Sequence, residues 1–120
     1  MLKIDRFKKW CEHYIEVFGL RDFDIFYDYM SDEELEDYPH ACALSERGYG
    51  FVKSATVKIR KDFKLTASEI RTAALHEILH VVLSQSTSLA FDRHATESQI
   101  RDSHESDVVR LTNAIKSLER

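Results

Sequence analysis

His76, Glu77 and His80 stand inside an otherwise apolar run, Ala73-Ala74-Leu75-His76-Glu77-Ile78-Leu79-His80-Val81-Val82-Leu83. Residues four apart share one helical face, one turn above the other, so the imidazoles of His76 and His80 can converge on a single point. Glu77 is the next residue round from His76 and lies within a turn of His80, so its carboxylate borders that point. This H-E-x-x-H spacing supplies two ligands for a zinc ion and a general base for the water that the ion activates. The plainer alternative is two core histidines with ordinary hydrogen bonds and a Glu77 that reaches solvent. The frame favours the ion. Apolar residues occur nearly all round the helix, which marks it as buried, and burying an unpaired carboxylate with two imidazoles is costly. A divalent cation partners all three at once.

A catalytic zinc site needs a third protein ligand and an open position for water. Leu83 and Ser86 stand where the extended H-E-x-x-H-x-x-G-x-x-H pattern requires Gly and His, and the inverted H-x-x-E-H order is absent. The downstream candidates are Asp92, His94, Glu97, His104, Glu105 and Asp107. His94 reads as a surface residue in a loop. Glu97 suits the first turn of a helix, where a negative charge favours the macrodipole. His104 falls at the centre of the last helix's apolar stripe, so it points inward as a ligand, an outer partner or a core histidine. Glu105 borders the same face. A helix returning antiparallel to the motif helix carries one of these two over His76 and His80, and spacing leaves both open.

The elements that must position these residues can be read from periodicity. Phe7, Trp10, Cys11, Tyr14 and Phe18 recur at three- and four-residue intervals and predict a helix over Ile4 to Phe18, stopped by Gly19. His13 lies off that stripe and reads as solvated. Phe23, Ile25, Tyr27 and Tyr29 alternate with Asp24, Phe26 and Asp28 in a strand from Phe23 to Tyr29. Ser31 to Pro39 is an acidic connection with room for one helical turn; it lacks the Gly and alternating oxygens of a calcium loop. Ala41 to Leu44 predicts a short strand and Arg47-Gly48-Tyr49-Gly50 a turn. In Phe51 to Arg60, Ala55, Val57 and Ile59 face one way and Thr56, Lys58 and Arg60 the other; the alternating charges suit an edge strand. Thr66-Ala67-Ser68-Glu69 is a capping box that opens the motif helix, expected to run to about Ser84 before a loop from Gln85 to Ala95. Thr96-Glu97-Ser98-Gln99 opens a last helix reaching nearly to Arg120, with Ile100, His104, Val108, Leu111, Ile115 and Leu118 as its stripe.

The whole chain has 120 residues, 43% hydrophobic and 32% charged, which suits one domain over 1–120. A net charge of −4 argues against nucleic-acid binding driven by charge, and the basic group Lys53, Lys58, Arg60, Lys61 and Lys64 reads as a solvated face. No early apolar run resembles a signal peptide and no stretch has the length of a membrane span. Cys11 and Cys42 read as buried thiols of a reducing cytoplasm, with a single disulfide left open. The expected fold is α+β: an N-terminal helix, a three-stranded, mostly antiparallel sheet, and two C-terminal helices carrying the metal site.

Four segments follow one another as in a known family: Leu20-Arg21-Asp22-Phe23-Asp24-Ile25, Ala55-Thr56-Val57-Lys58-Ile59, the run from Thr72 to Leu83, and the run from Glu105 to Ile115. In this order the chain resembles the minimal zincins carried by phages and prophages. Those have an "x-D-W-x-I" strand, an "A-x-I-x-I" strand, a "T-L-x-H-E-L-L-H-L-L-L" helix and a final "E-x-x-V-x-R-L-x-x-A-L" helix. The likeness spans nearly the whole chain, but only the H-E-x-x-H helix is specific, and Phe23 stands where tryptophan is usual. The resemblance implies a small zincin-like metallopeptidase domain, distantly SprT-like. It implies Glu105 as the third ligand, whereas a histidine ligand, here His104, goes with the SprT-like branch. It implies a zinc-dependent peptidase in which Glu77 activates a Zn²⁺-bound water held by His76, His80 and Glu105. The substrate would be a peptide or protein lying along a sheet edge, with Phe51 to Arg60 as the candidate edge and His104, Tyr49 or His94 as candidate oxyanion donors. The rivals are a silent, metal-stabilised binding module of a phage that grips a host protein, and a DNA-associated peptidase, which the net charge disfavours.

Overall fold

The computed structural model describes residues 2–47, 53–61, 64–91 and 96–119. The chain opens with α1 (Lys3–Val17), whose Phe7, Cys11, Tyr14 and Ile15 are buried on the predicted stripe. Gly19 ends it in the left-handed region at φ +68°, a conformation that a side chain would strain. Strand β1 (Asp24–Tyr29) follows with the expected alternation, its odd-numbered residues half-buried and its even-numbered ones exposed. The acidic segment folds into α2 (Asp32–Asp37), a short helix held by a full capping box between Ser31 and Glu34. Then come β2 (Ala43–Arg47) and β3 (Ser54–Ile59). Two long helices complete the fold, α3 (Ala67–Phe91) and α4 (Glu97–Leu118). Both predicted capping boxes form, Thr66 with Glu69 and Thr96 with Gln99.

The sheet corrects two expectations. It is mixed rather than mostly antiparallel: β1 pairs with β3 in parallel and β2 pairs with β3 antiparallel. Its order is β1-β3-β2, so β3 is the central strand and not an edge. The charges that suggested an edge are accounted for locally. Lys58 pairs with Glu34 at 2.9 Å and Glu46 at 3.4 Å, and Arg60 donates to the carbonyls of Tyr38, Pro39 and Ala41. On the other face Ala55, Val57 and Ile59 are buried. A strand whose polar face is covered by its own neighbours' partners carries the same alternation as a solvated edge.

The motif helix α3 is the axis of the core. It touches α1, α4, β2 and β3, and its Ile70, Ala74, Leu75, Ile78, Leu79 and Val81 are buried. It also outlasts its predicted end, running through Gln85 to Phe91 where a loop was expected. That segment contains no Gly or Pro to stop it, and Ser and Thr alone do not end a helix that packing supports. In α4 the stripe drifts. Ile100, Val108 and Thr112 are buried, whereas Leu111 and Leu118, expected inside, are 40% and 85% exposed. Steps of four residues on a helix of 3.6 per turn advance by about 40° each, so the buried stripe winds round α4 to Thr112 and leaves Leu111 outside. Contacts between Arg71 and Glu119 at one level, and His80 and His104 at another, make α3 and α4 antiparallel. Among the described residues no helix is long and apolar enough to cross a membrane, and Cys11 and Cys42 are both free.

Candidate metal centre

His76 and His80 lie one turn apart on the face of α3 that meets α4, and α4 returns antiparallel to lay Glu105 across them. His76 Nε2 stands 3.0 Å from Glu105 Oε1 and His80 Nε2 stands 3.0 Å from Glu105 Oε2. The two Nε2 atoms are 3.2 Å apart. These three side chains each offer one atom to a group whose members all lie within 4.8 Å of one another. These donor types could hold a metal ion; for comparison, a tetrahedral ion with ligands at about 2.0–2.1 Å holds neighbouring ligand atoms about 3.3–3.4 Å apart. The two Nε2 atoms are within a few tenths of an ångström of that, while each meets a different oxygen of Glu105.

Burial sets the electrostatics. Desolvation first, then the neighbouring His76 and His104 rings, pushes the His80 imidazolium down to about 3, so His80 is neutral at pH 7. Burial also lowers His104, against the opposing charges of Glu105 and Asp107. Neutral imidazole is the form that ligates a metal. Glu105 remains half in solvent, with a side chain 52% exposed, which leaves an approach to the group from outside.

Glu77 lies on the inner flank of the same helix. It is only 5% exposed, which removes the reading in which it reaches solvent. Burial pushes its carboxyl up to about 8; a hydrogen bond with the Ser45 side chain on β2 opposes the rise and the charge of Glu105 adds to it. Its Oε2 has no hydrogen-bond partner among the described residues, an expensive arrangement for a buried carboxyl oxygen. On α1, the wholly buried Cys11 thiol is pushed up by burial and by Glu77. Ser45, His76, Glu77, His80, His104 and Glu105 all line one cavity of about 1010 Å³, floored by α3 and walled by β2 on one side and α4 on the other. Such a cleft with a few convergent polar groups is the form a ligand site takes.

The other predicted residues divide cleanly. His104 is brought to the site, but behind it: its Nε2 faces His80 Nδ1 at 2.6 Å. Glu97 is exposed and pairs with Arg101 one turn along α4. Asp107 is exposed. Tyr49, Asp92 and His94 lie outside the described residues, as do Gly48 and Gly50 of the predicted turn. Sequence reasoning missed Ser45, whose place opposite Glu77 depends on the pairing of β2 with β3. No local pattern announces it. No family model, curated protein or solved structure matches the chain.

Proposed function

We propose that the chain is a zinc-dependent hydrolase of the minimal zincin kind, acting on a peptide or protein. One observation supports this: two imidazole nitrogens and a carboxylate are gathered in one small group, with a second carboxyl buried beside them in the same cleft. His76, His80 and Glu105 would hold Zn²⁺, leaving one position open. A metal ion bound there would supply Lewis acidity.

The remaining steps belong to the chain's own groups. Glu77 takes a proton from the attacking water and returns it to the leaving amine. With its carboxyl raised to about 8 by burial, Glu77 is mostly protonated at pH 7; a cation held beside it would favour the ionised form that accepts a proton, and Ser45 bonds one side of it. The substrate lies along β2, not β3. Among the described residues β2 pairs with β3 on one side only, and its Ala43 to Glu46 line the cleft wall, so an extended peptide can add there and cross above His76 and His80. The basic residues of β3 are engaged in ion pairs and carbonyl contacts, which favours peptide over nucleic acid. The two free thiols suit a reducing compartment such as the cytoplasm.

The test is turnover of a peptide library by zinc-loaded protein and by Glu77→Gln. Cleavage by the native chain that is lost in the variant, with zinc retained in both, is the expected result. Zinc bound without any turnover by the native protein would replace this reading with that of a metal-stabilised binding module.

A further inference from the structure

We infer that His104 is a positioning residue for the metal centre, holding the proton of His80 on Nδ1 so that its Nε2 lone pair points to the ligand group. The inference rests on the metal-site reading above.

The two rings are nearly parallel, at 14°, with centroids 4.7 Å apart. His80 Nδ1 and His104 Nε2 nevertheless approach to 2.6 Å. Faces in van der Waals contact do not come so close; the rings meet edge to edge, in the geometry of a ring-to-ring hydrogen bond. His80 therefore has its two nitrogens aimed at different neighbours. Nε2 faces His76 and Glu105, and Nδ1 faces His104.

A neutral imidazole carries one proton on one of its two nitrogens. For Nε2 to donate its lone pair, the proton must sit on Nδ1, and Nδ1–H must then donate to the group opposite. That group is His104 Nε2, so His104 accepts there and keeps its own proton on Nδ1. A ligating histidine commonly donates its second N–H to a carboxylate, a backbone carbonyl or water; here another histidine on the facing helix takes that part. The arrangement also explains why residues 104 and 105, adjacent on α4, are both at the site. Glu105 closes on the Nε2 side of His80, and His104 on its Nδ1 side. A single helix thus sets a ligand and the partner that orients its neighbour.

The experiment measures Zn²⁺ affinity by chelator competition for the native chain, Glu105→Ala, His104→Leu and His104→Gln, with ¹⁵N and ¹¹³Cd NMR of the Cd²⁺-loaded protein. A positioning role predicts that His104→Leu weakens Zn²⁺ about 10–100-fold, and that His104→Gln, whose Oε1 can accept from Nδ1–H, restores most of the loss. It further predicts a slowly exchanging His80 Nδ1–H in the Cd²⁺ form and cadmium coupling to His76 and His80 but not to His104. Unchanged affinity in His104→Leu, while Glu105→Ala loses the metal, overturns the inference and leaves the metal site standing. Cadmium coupling to His104 Nε2 overturns it as well, since His104 is then itself a ligand. Absence of Zn²⁺ binding by the native chain instead removes the site on which both rest.

Discussion

The contact between α3 and α4 carries a polar cluster at each of two levels, and the two are built on opposite plans. Near the start of α3, Arg71 pairs with Glu119 beyond the end of α4 and donates from Nε to the Tyr14 hydroxyl at 3.1 Å. Tyr14 in turn donates to Glu119 at 3.0 Å, and the guanidinium lies over the Trp10 ring at 4.3 Å. A cation, an anion, a hydroxyl and an aromatic face answer one another, so the cluster is complete without a ligand. Further along, His76, His80 and Glu105 present three Lewis bases to one small volume, and Glu77 is buried beside them with an oxygen that no described residue satisfies. The first cluster ties three helices together. The second holds like groups at the spacing of a coordination sphere, an arrangement that helix packing makes possible and that a bound cation would reward.

The sharpest way to break this contrast is at Glu77. Glu77→Gln keeps the size and burial of the side chain and removes its basicity. Hydrolysis should fall by about 10²–10⁴-fold, the ordinary contribution of a positioned general base, while zinc stoichiometry by elemental analysis stays unchanged. Activity equal to that of the native chain would put the base elsewhere. Next in size is the coordination sphere itself. Glu105→Ala should weaken zinc by more than about 100-fold, beyond what loss of an outer partner costs. For the native chain, zinc at a hundredfold excess over Kd should add about 2.7 kcal/mol of stability, a rise in Tm on the order of 10 °C. A melting curve that zinc does not move would make the site no more than a second, ligand-free clasp.

The reach of the sequence follows the same division. Local periodicity placed α1, β1 and the starts of α3 and α4, because caps and stripes are written in neighbouring residues: Thr66 with Glu69, Thr96 with Gln99, Phe7 through Tyr14. The H-E-x-x-H spacing put His76 and His80 on one face for the same reason. Pairing across the fold is not local. The alternation of β3 is the same whether Lys58 meets water or meets Glu34 and Glu46, so it does not separate a central strand from an edge. The choice between His104 and Glu105 was also beyond spacing, since adjacent residues on α4 flank His80 from two sides. The place of Ser45 opposite Glu77 depends on the register of β2 against β3, which no local pattern sets. In α4 a heptad pattern points Leu111 inward, whereas the face that α4 turns to the core winds through Val108 to Thr112, a contact that depends on how α4 crosses α3.

If the Arg71 cluster is purely structural, its loss should register in stability and nowhere else. Arg71→Met retains the aliphatic stem over Trp10 and removes the charge, leaving Glu119 with the Tyr14 hydroxyl alone. The arginine side chain is 38% exposed, so solvent tempers the cost to about 1–2 kcal/mol in chemical denaturation. Zinc affinity should match that of the native chain. A parallel loss of zinc would join the two clusters into one cooperative unit and end the distinction drawn between them.

The smallest effect comes from a third group of the complementary kind, Glu34 with Lys58. Lys58 first, then the Ser31 backbone N–H, holds the Glu34 carboxyl well below its ordinary range, at about 2. An unfolded glutamate titrates near about 4.3. The folded chain therefore binds fewer protons than the unfolded one between those values. The stabilisation is complete above the unfolded value and disappears as pH falls through about 2. Glu34→Gln preserves the capping box, since Gln serves at that position as well as Glu, and so isolates the ion pair with Lys58. The variant should be less stable at pH 7 by no more than about 1 kcal/mol, and its deficit should shrink as denaturation is followed from pH 5 to pH 2. A deficit that persists unchanged into acid would assign it to the cap rather than the charge. Because Lys58 also reaches Glu46 on the wall of the cleft, unaltered zinc affinity in Glu34→Gln would show that complementary pairs can border the coordination group without tuning it.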